Sequence, residues 1–252
     1  MIKNKKIKLA IFLLLTGMLG VFSLLSLDIT NSIPEDMMYA VQDVPEIALK
    51  LAVLLSPTIL LILGVLAGIF TYDKTQLRLS IIESILFKKQ SKTRISEHLI
   101  YGTTLGIITA GVVILISFIF EPFLEDFLNK TKDYDIPLQV RLFYGGITEE
   151  VMIRFGVMSL IIFLLTKISK KSNFTIYATG IFLSAFLFAL AHFPSLYAME
   201  PNPSVALLFF VTLGNMIAGV VFGWLYWKKS LTAAIIAHML FHITVVSLEP
   251  FI

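Results

Sequence analysis

The sequence predicts an all-α, multi-pass membrane bundle of about seven helices, and three observations predict it. Hydrophobic residues fill 57% of the 252 positions, charged residues only 15%, and the mean hydropathy is +0.88, too apolar for a soluble domain to cover with polar surface. Runs of about 20 predominantly apolar residues, enough to cross a hydrocarbon core of roughly 30 Å, recur along the chain. Lys and Arg gather beside alternate runs, as topology signals do.

Taken in order, the spans are expected at Leu9–Leu27, Leu51–Tyr72, Leu99–Phe120, Leu138–Thr166, Phe174–Tyr197, Val205–Trp227 and Leu231–Leu248. The first follows Lys3, Lys5, Lys6 and Lys8 as a secretory signal would. Its apolar run is long and lacks a small-x-small cleavage site, so it reads as a retained anchor. Fifteen of the twenty Lys and Arg fall at the N-terminus, in Asp73–His98, in Lys167–Lys171 and at Lys228 and Lys229. These connections are expected in the cytoplasm, which places the N-terminus there in a multi-pass protein of the cell membrane. The intervening connections are acidic, with Asp28, Glu35, Asp36, Asp43 and Glu46 in one and Glu121, Glu125, Asp126, Asp133 and Asp135 in the other. Within the long basic connection, Leu77–Phe87 reads either as a segment lying along the inner membrane surface or as a solvated linker with a short helix.

The absence of cysteine excludes a disulfide framework, a thiolate metal site and a cysteine nucleophile, leaving oxygen and imidazole groups for any chemistry. A net charge of +3, dispersed in short segments beside apolar runs, gives no reason to expect a nucleic-acid partner. An ionised group inside a bilayer is costly, so the charges that hydropathy forces inward are the informative ones. Glu149, Glu150 and Arg154 sit near the middle of the fourth span. Glu150 and Arg154, four apart, share a helical face and partly neutralise each other. Glu149 is turned about 100° away on an α-helix and is the better functional carboxylate; the bland alternative is an ion pair that fixes packing.

Three of the four histidines also fall in apolar spans: His192 in the fifth, and His238 and His242, four apart on one face, in the seventh. His98 alone is expected in a connection. A carboxylate can take a proton from water while imidazoles hold either a metal ion or the developing oxyanion. Neutral histidine is a common metal ligand, but no His-Glu-x-x-His secures a metal, and a metal-free glutamate mechanism stays open. A rise of 1.5 Å per residue puts Glu149 roughly 16 Å below the outer face, with His242 at similar depth. His238 falls about one turn nearer the cytoplasm and His192 nearer the outer face, unless the fifth helix continues past Pro194. In the sixth span, Gly219 and Gly223 permit close packing, and Asn215 either reaches the site or bonds between helices.

At these residues the chain resembles the CAAX protease and bacteriocin-processing family of membrane proteins. That family carries Glu-Glu-x-x-x-Arg, then Phe-x-x-x-His, then His-x-x-x-Asn or Asp. Glu149, Glu150 and Arg154 match the first motif, Phe188 and His192 the second, and His238 the start of the third. His242 departs from the pattern at its last position. The resemblance implies an intramembrane endopeptidase, with Glu149 activating water, His192 and His238 binding metal or the oxyanion, and Glu150 and Arg154 shaping the site. His242 joins them as a catalytic candidate; His192, His238, His242 and Glu149 are the metal candidates, with zinc the expected ion of a metalloprotease. It also implies a prenylated or other membrane-associated peptide or protein as substrate. Residues 1–137 are then a three-helix membrane region and 138–252 the protease-like core. The sequence lacks the Gly-x-Ser-Gly and Gly-x-Gly-Asp signatures of serine and aspartyl intramembrane proteases. The rival reading is a non-catalytic protein, a bacteriocin immunity factor or a transporter, that uses the same cluster for binding.

Overall fold

The computed structural model describes residues 2–28, 42–88, 94–131 and 136–248. The chain is helical, with no strand among the described residues. Seven of its helical segments are long and apolar enough to cross a membrane: Asn4–Ser26, Glu46–Lys74, Ile95–Thr131, Val140–Ser169, Phe174–Met199, Val205–Lys228 and Leu231–Leu248. Large apolar side chains such as Leu15, Leu55, Ile119 and Phe123 stand outward, each more than 60% exposed. A soluble domain rarely tolerates such a surface, whereas lipid solvates it.

The fourth span is the hub. It packs against the first, second, fifth, sixth and seventh, while the seventh also packs along the third and the fifth along the sixth. One apolar cluster joins Leu9 and Leu13 of the first span, Leu61 and Val65 of the second, Phe155 of the fourth and Phe222 of the sixth. The first helix is therefore part of the bundle, and Thr148 ties it to the hub by donating to the Gly17 carbonyl at 2.6 Å.

Lipid tails give helices little hydrophobic reason to associate, so close backbone approach through small residues has to supply contact. A Cβ on Gly156 would stand 2.6 Å from the Cα of Gly64 and 2.7 Å from its carbonyl oxygen. The second and fourth spans cross backbone to backbone there. The Gly219 and Gly223 pair packs internally, on Ala185 and Ile181 of the fifth span.

The basic connections converge at one end of the bundle. Lys6 pairs with Asp73 at 2.7 Å, Lys229 lies 3.7 Å from Glu97, the Leu231 amide donates to the Arg78 carbonyl, and the Gln76 amide donates to the Tyr177 hydroxyl. Tyr177 and Trp227 stack at 4.7 Å, with Lys228 over the indole, as in the aromatic belt of a membrane interface. The segment after the second span forms the helix Ser80–Phe87, which buries Ile81 and Ile82 and leaves Ile85 outward. It is a short helix, as one of the two readings has it, and it packs against the first span.

Three local expectations are corrected. The third helix runs on past Phe120 through Pro122 to Thr131, because charged Glu121, Glu125 and Asp126 extend it beyond the hydrocarbon instead of ending it. His98 lies inside that helix, fully buried, its Nδ1 2.9 Å from the Ser230 hydroxyl. Hydropathy alone counted it as loop because Ser96, Glu97 and His98 interrupt the apolar run. The fifth span breaks after Leu190 and resumes at Phe193–Met199. Pro194 has no N–H to continue the helix and instead occupies the first turn of the next. Glu35, Asp36, Lys89, Lys92, Asp133 and Asp135 of the charge pattern lie outside the described residues.

The Gly64–Gly156 crossing gives a direct stability expectation. Gly156→Ala should destabilise the protein by about 1–3 kcal/mol through overpacking against backbone that has nowhere to move, read as a lowered unfolding midpoint in detergent. Gly111→Ala, where a Cβ meets nothing within 4 Å, should leave that midpoint unchanged or raised by up to about 1 kcal/mol.

Candidate active site

From Val140 to Met158 the hub winds as a π-helix, closing i to i+5 rings before it returns to α over Ser159–Ser169. The side chains follow the same spacing: Thr148 Oγ1 also lies 3.3 Å from the Phe143 carbonyl, and Ser159 Oγ donates to the Arg154 carbonyl at 3.4 Å. A wider turn rotates each residue less about the axis than an α-helix does. Glu149 and Glu150 both reach one neighbour.

That neighbour is His238. Its Nδ1 donates to Glu150 Oε1 at 3.0 Å, and its Nε2 lies 3.9 Å from Glu149 Oε2. Both glutamates therefore address opposite nitrogens of one imidazole. Glu150 and Arg154 are fully buried, with Arg154 Nε 3.3 Å from Glu150 Oε2. No hydrogen-bond acceptor serves the guanidinium nitrogens among the described residues, and the Arg154 Cζ lies 4.8 Å from the centre of the Phe188 ring. The ring supplies the quadrupole face that a desolvated cation favours.

His192 occupies the turn created by the break in the fifth span. Its Nδ1 donates to the Phe188 carbonyl at 2.8 Å, which leaves Nε2 of the neutral ring with a free lone pair. The difference in depth expected between His192 and Glu149 does not keep them apart: both line the same cavities. Phe188 stands between the two imidazoles, edge-on to His192 at 4.8 Å and to His238 at 6.1 Å. His242 stacks on His238 with ring centroids 4.9 Å apart and planes 21° from parallel. It fits because residue 145 is glycine: a Cβ there would stand 2.7 Å from His242 Nε2.

Two cavities meet at this cluster. One of about 360 Å³ is lined by Glu149, His192, His238, His242, Arg141 and Asn215 among others. Asn215 donates its amide to the Val211 carbonyl of its own helix, so it faces the cavity without bridging helices. The other, of about 600 Å³, is bounded by the second, fourth and fifth spans, with Leu60, Leu63, Ala67, Met152, Ile153 and Val157 in its walls. Leu60 and Leu63 are more than half exposed, so this apolar cavity reaches the lipid-facing side of the bundle. Glu149, His192, Phe188 and Tyr144 line both. Tyr144 is the site residue that sequence reasoning missed; the i, i+5 spacing to Glu149 was its only signal and is invisible on an α-helical template.

Among the described residues, no group of three or more His, Asp or Glu side chains is arranged to hold a metal ion. His238 spends Nδ1 on Glu150, and His192 spends Nδ1 on Phe188. Each of these contacts is the kind an imidazole makes on its far nitrogen when Nε2 holds a ligand; the chemistry below is derived from the side chains alone.

Breaking the buried pair should cost far more than a surface contact. Arg154→Met strands Glu150 without its cation and should destabilise the protein by about 3–5 kcal/mol, whereas Arg154→Met with Glu150→Gln should recover a large part of that loss. Unfolding midpoints of the two variants test this.

No curated protein and no solved structure matches the chain. Residues 136–244, which supply the whole cluster from Glu149 to His242, match the family model of the Rce1-like type II CAAX prenyl endopeptidases, the family type that the three motifs resemble.

Proposed function

We propose that the protein is a CAAX-type intramembrane endopeptidase that hydrolyses a peptide bond of a prenylated or otherwise membrane-anchored substrate, with Glu149 as the base. The observation that carries this reading is the placement of Glu149 and His192 where the cavity that holds the other histidines meets the larger apolar cavity. The lipid part of the substrate enters the larger cavity from the side of the bundle, past Leu60 and Leu63. Its peptide then lies across Glu149.

Water is held between the Glu149 carboxylate and His192 Nε2. Glu149 removes one proton as the water oxygen bonds to the scissile carbonyl carbon, and the carbonyl oxygen becomes an oxyanion. His242, stacked on His238 and lining the same cavity, supplies the nearby N–H donor that stabilises it. The C–N bond breaks as Glu149 passes its proton to the leaving amine, which restores the carboxylate. Glu150 and Arg154 act through His238: the carboxylate fixes which imidazole nitrogen carries hydrogen, and the guanidinium, 3.3 Å away, holds that carboxylate in place. The basic end of the bundle faces the cytoplasm.

Cleavage of a fluorogenic farnesylated peptide by the full chain in liposomes tests the assignment. Glu149→Gln and His192→Ala should each lower kcat/KM by about 10²–10⁴ with little change in unfolding midpoint. Full activity in both would remove them from the mechanism. The same assay after chelation and after return of zinc decides whether a divalent cation joins the imidazoles. Ala67→Phe, which fills part of the apolar cavity, should raise KM for the farnesylated peptide several-fold and leave its unprenylated counterpart unaffected; equal effects on both would remove the lipid from that cavity.

A further inference from the structure

At the basic end of the bundle a separate cleft of about 380 Å³ is lined by Asn4, Lys5 and Lys8 of the first helix and by Leu86, Phe87 and Lys88. No carboxylate lines it. Elsewhere at this end, lysines are neutralised, Lys6 by Asp73 and Lys229 by Glu97. Lys5, Lys8 and Lys88 have no carboxylate partner among the described residues, though Lys5 lies 5.6 Å from the Phe87 ring. Lys88 closes its helix at φ 50°, a left-handed conformation usually given to glycine, which turns the chain at the edge of the cleft. Three uncompensated ammonium groups beside the first turns of a helix form a seat for an anion, strengthened by the positive end of the helix dipole.

The surroundings indicate where that anion comes from. Ile7 and Ile85, on the two helices that form the cleft, are 48% and 66% exposed, so both helices also present apolar side chains outward, as a surface against acyl chains does. Phe87 and Leu86 form a wall inside it. A free phosphate uses the lysines but not this wall, whereas a lipid uses both. We propose that this cleft binds the phosphate headgroup of an anionic membrane lipid, holding the first helix and the helix Ser80–Phe87 together at the interface.

The full chain in phosphatidylcholine nanodiscs is titrated with fluorescently labelled phosphatidylglycerol and followed by anisotropy, a readout independent of peptidase activity. Wild type should bind saturably. Joint Lys5→Gln, Lys8→Gln and Lys88→Gln substitution should weaken binding by about tenfold or more, each single substitution by two- to threefold or so, and the three Lys→Arg changes should preserve it. Lys130→Gln, at a residue paired with Glu200 elsewhere in the protein, should have no effect. Triple-Gln binding equal to wild type would overturn the site. Displacement of the lipid by an equal concentration of inorganic phosphate would overturn the headgroup assignment in favour of a free anion.

Discussion

The fold is organised around the cost of keeping Glu150 and Arg154 out of water. Both side chains are fully buried, and neither charge is tolerable in hydrocarbon unless the other stays beside it. The helix that carries them cannot face lipid on the side of that pair, which explains why the fourth span is surrounded by five others. Three buried polar contacts start from the same helix: Thr148 to Gly17, Ser159 to Tyr226 and Glu150 to His238 each connect it to a different neighbour. A packed apolar core would be at least as stable. The pair therefore serves placement: it fixes the rotation of the central helix, and that rotation decides what Glu149 faces.

Glu149 gains its surroundings from the winding as much as from the sequence. Consecutive glutamates diverge on any helix, yet here both meet one imidazole. The π-helical course of Val140–Met158 lets both approach the same imidazole from its two nitrogens. Their environments still differ. Glu150 is sealed and committed to an arginine and a histidine, while Glu149 retains 17% of its exposure and opens on two cavities. A committed carboxylate can orient; an uncommitted one at a cavity wall can exchange protons with what enters.

Much of this was legible in the sequence because bilayer physics is coarse and insistent. Seven apolar runs of sufficient length, and polar groups that could not be placed outside them, pointed to the bundle and to the glutamates, arginine and histidines of the cluster. What escaped was local. Pro194 left the end of the fifth helix open, and the turn that precedes it carries His192, which lines the same cavities as Glu149. The burial of His98 against Ser230 depends on two helix ends meeting, which no window of one helix contains. Gly64 and Gly156 stand 92 positions apart in the chain, so their contact has no periodic signature, although each helix needs the other to be glycine. Tyr144 was hidden by the assumption of α-helical spacing.

The departure at His242 illustrates how a motif position and a structural position can differ. In the family pattern an Asn or Asp is expected there; an imidazole is larger and would collide with the hub if position 145 carried any side chain. Gly145 removes that collision, and the ring settles parallel to His238 over the bare backbone. The substitution is thus accommodated by a residue outside all three motifs, in the helix that also carries the first. It brings a second nitrogen donor to the cavity while His238 remains tethered to Glu150. The hub helix therefore sets the site in three ways: Glu149 faces the cavities, Glu150 holds one imidazole, and the missing side chain at Gly145 makes room for the other.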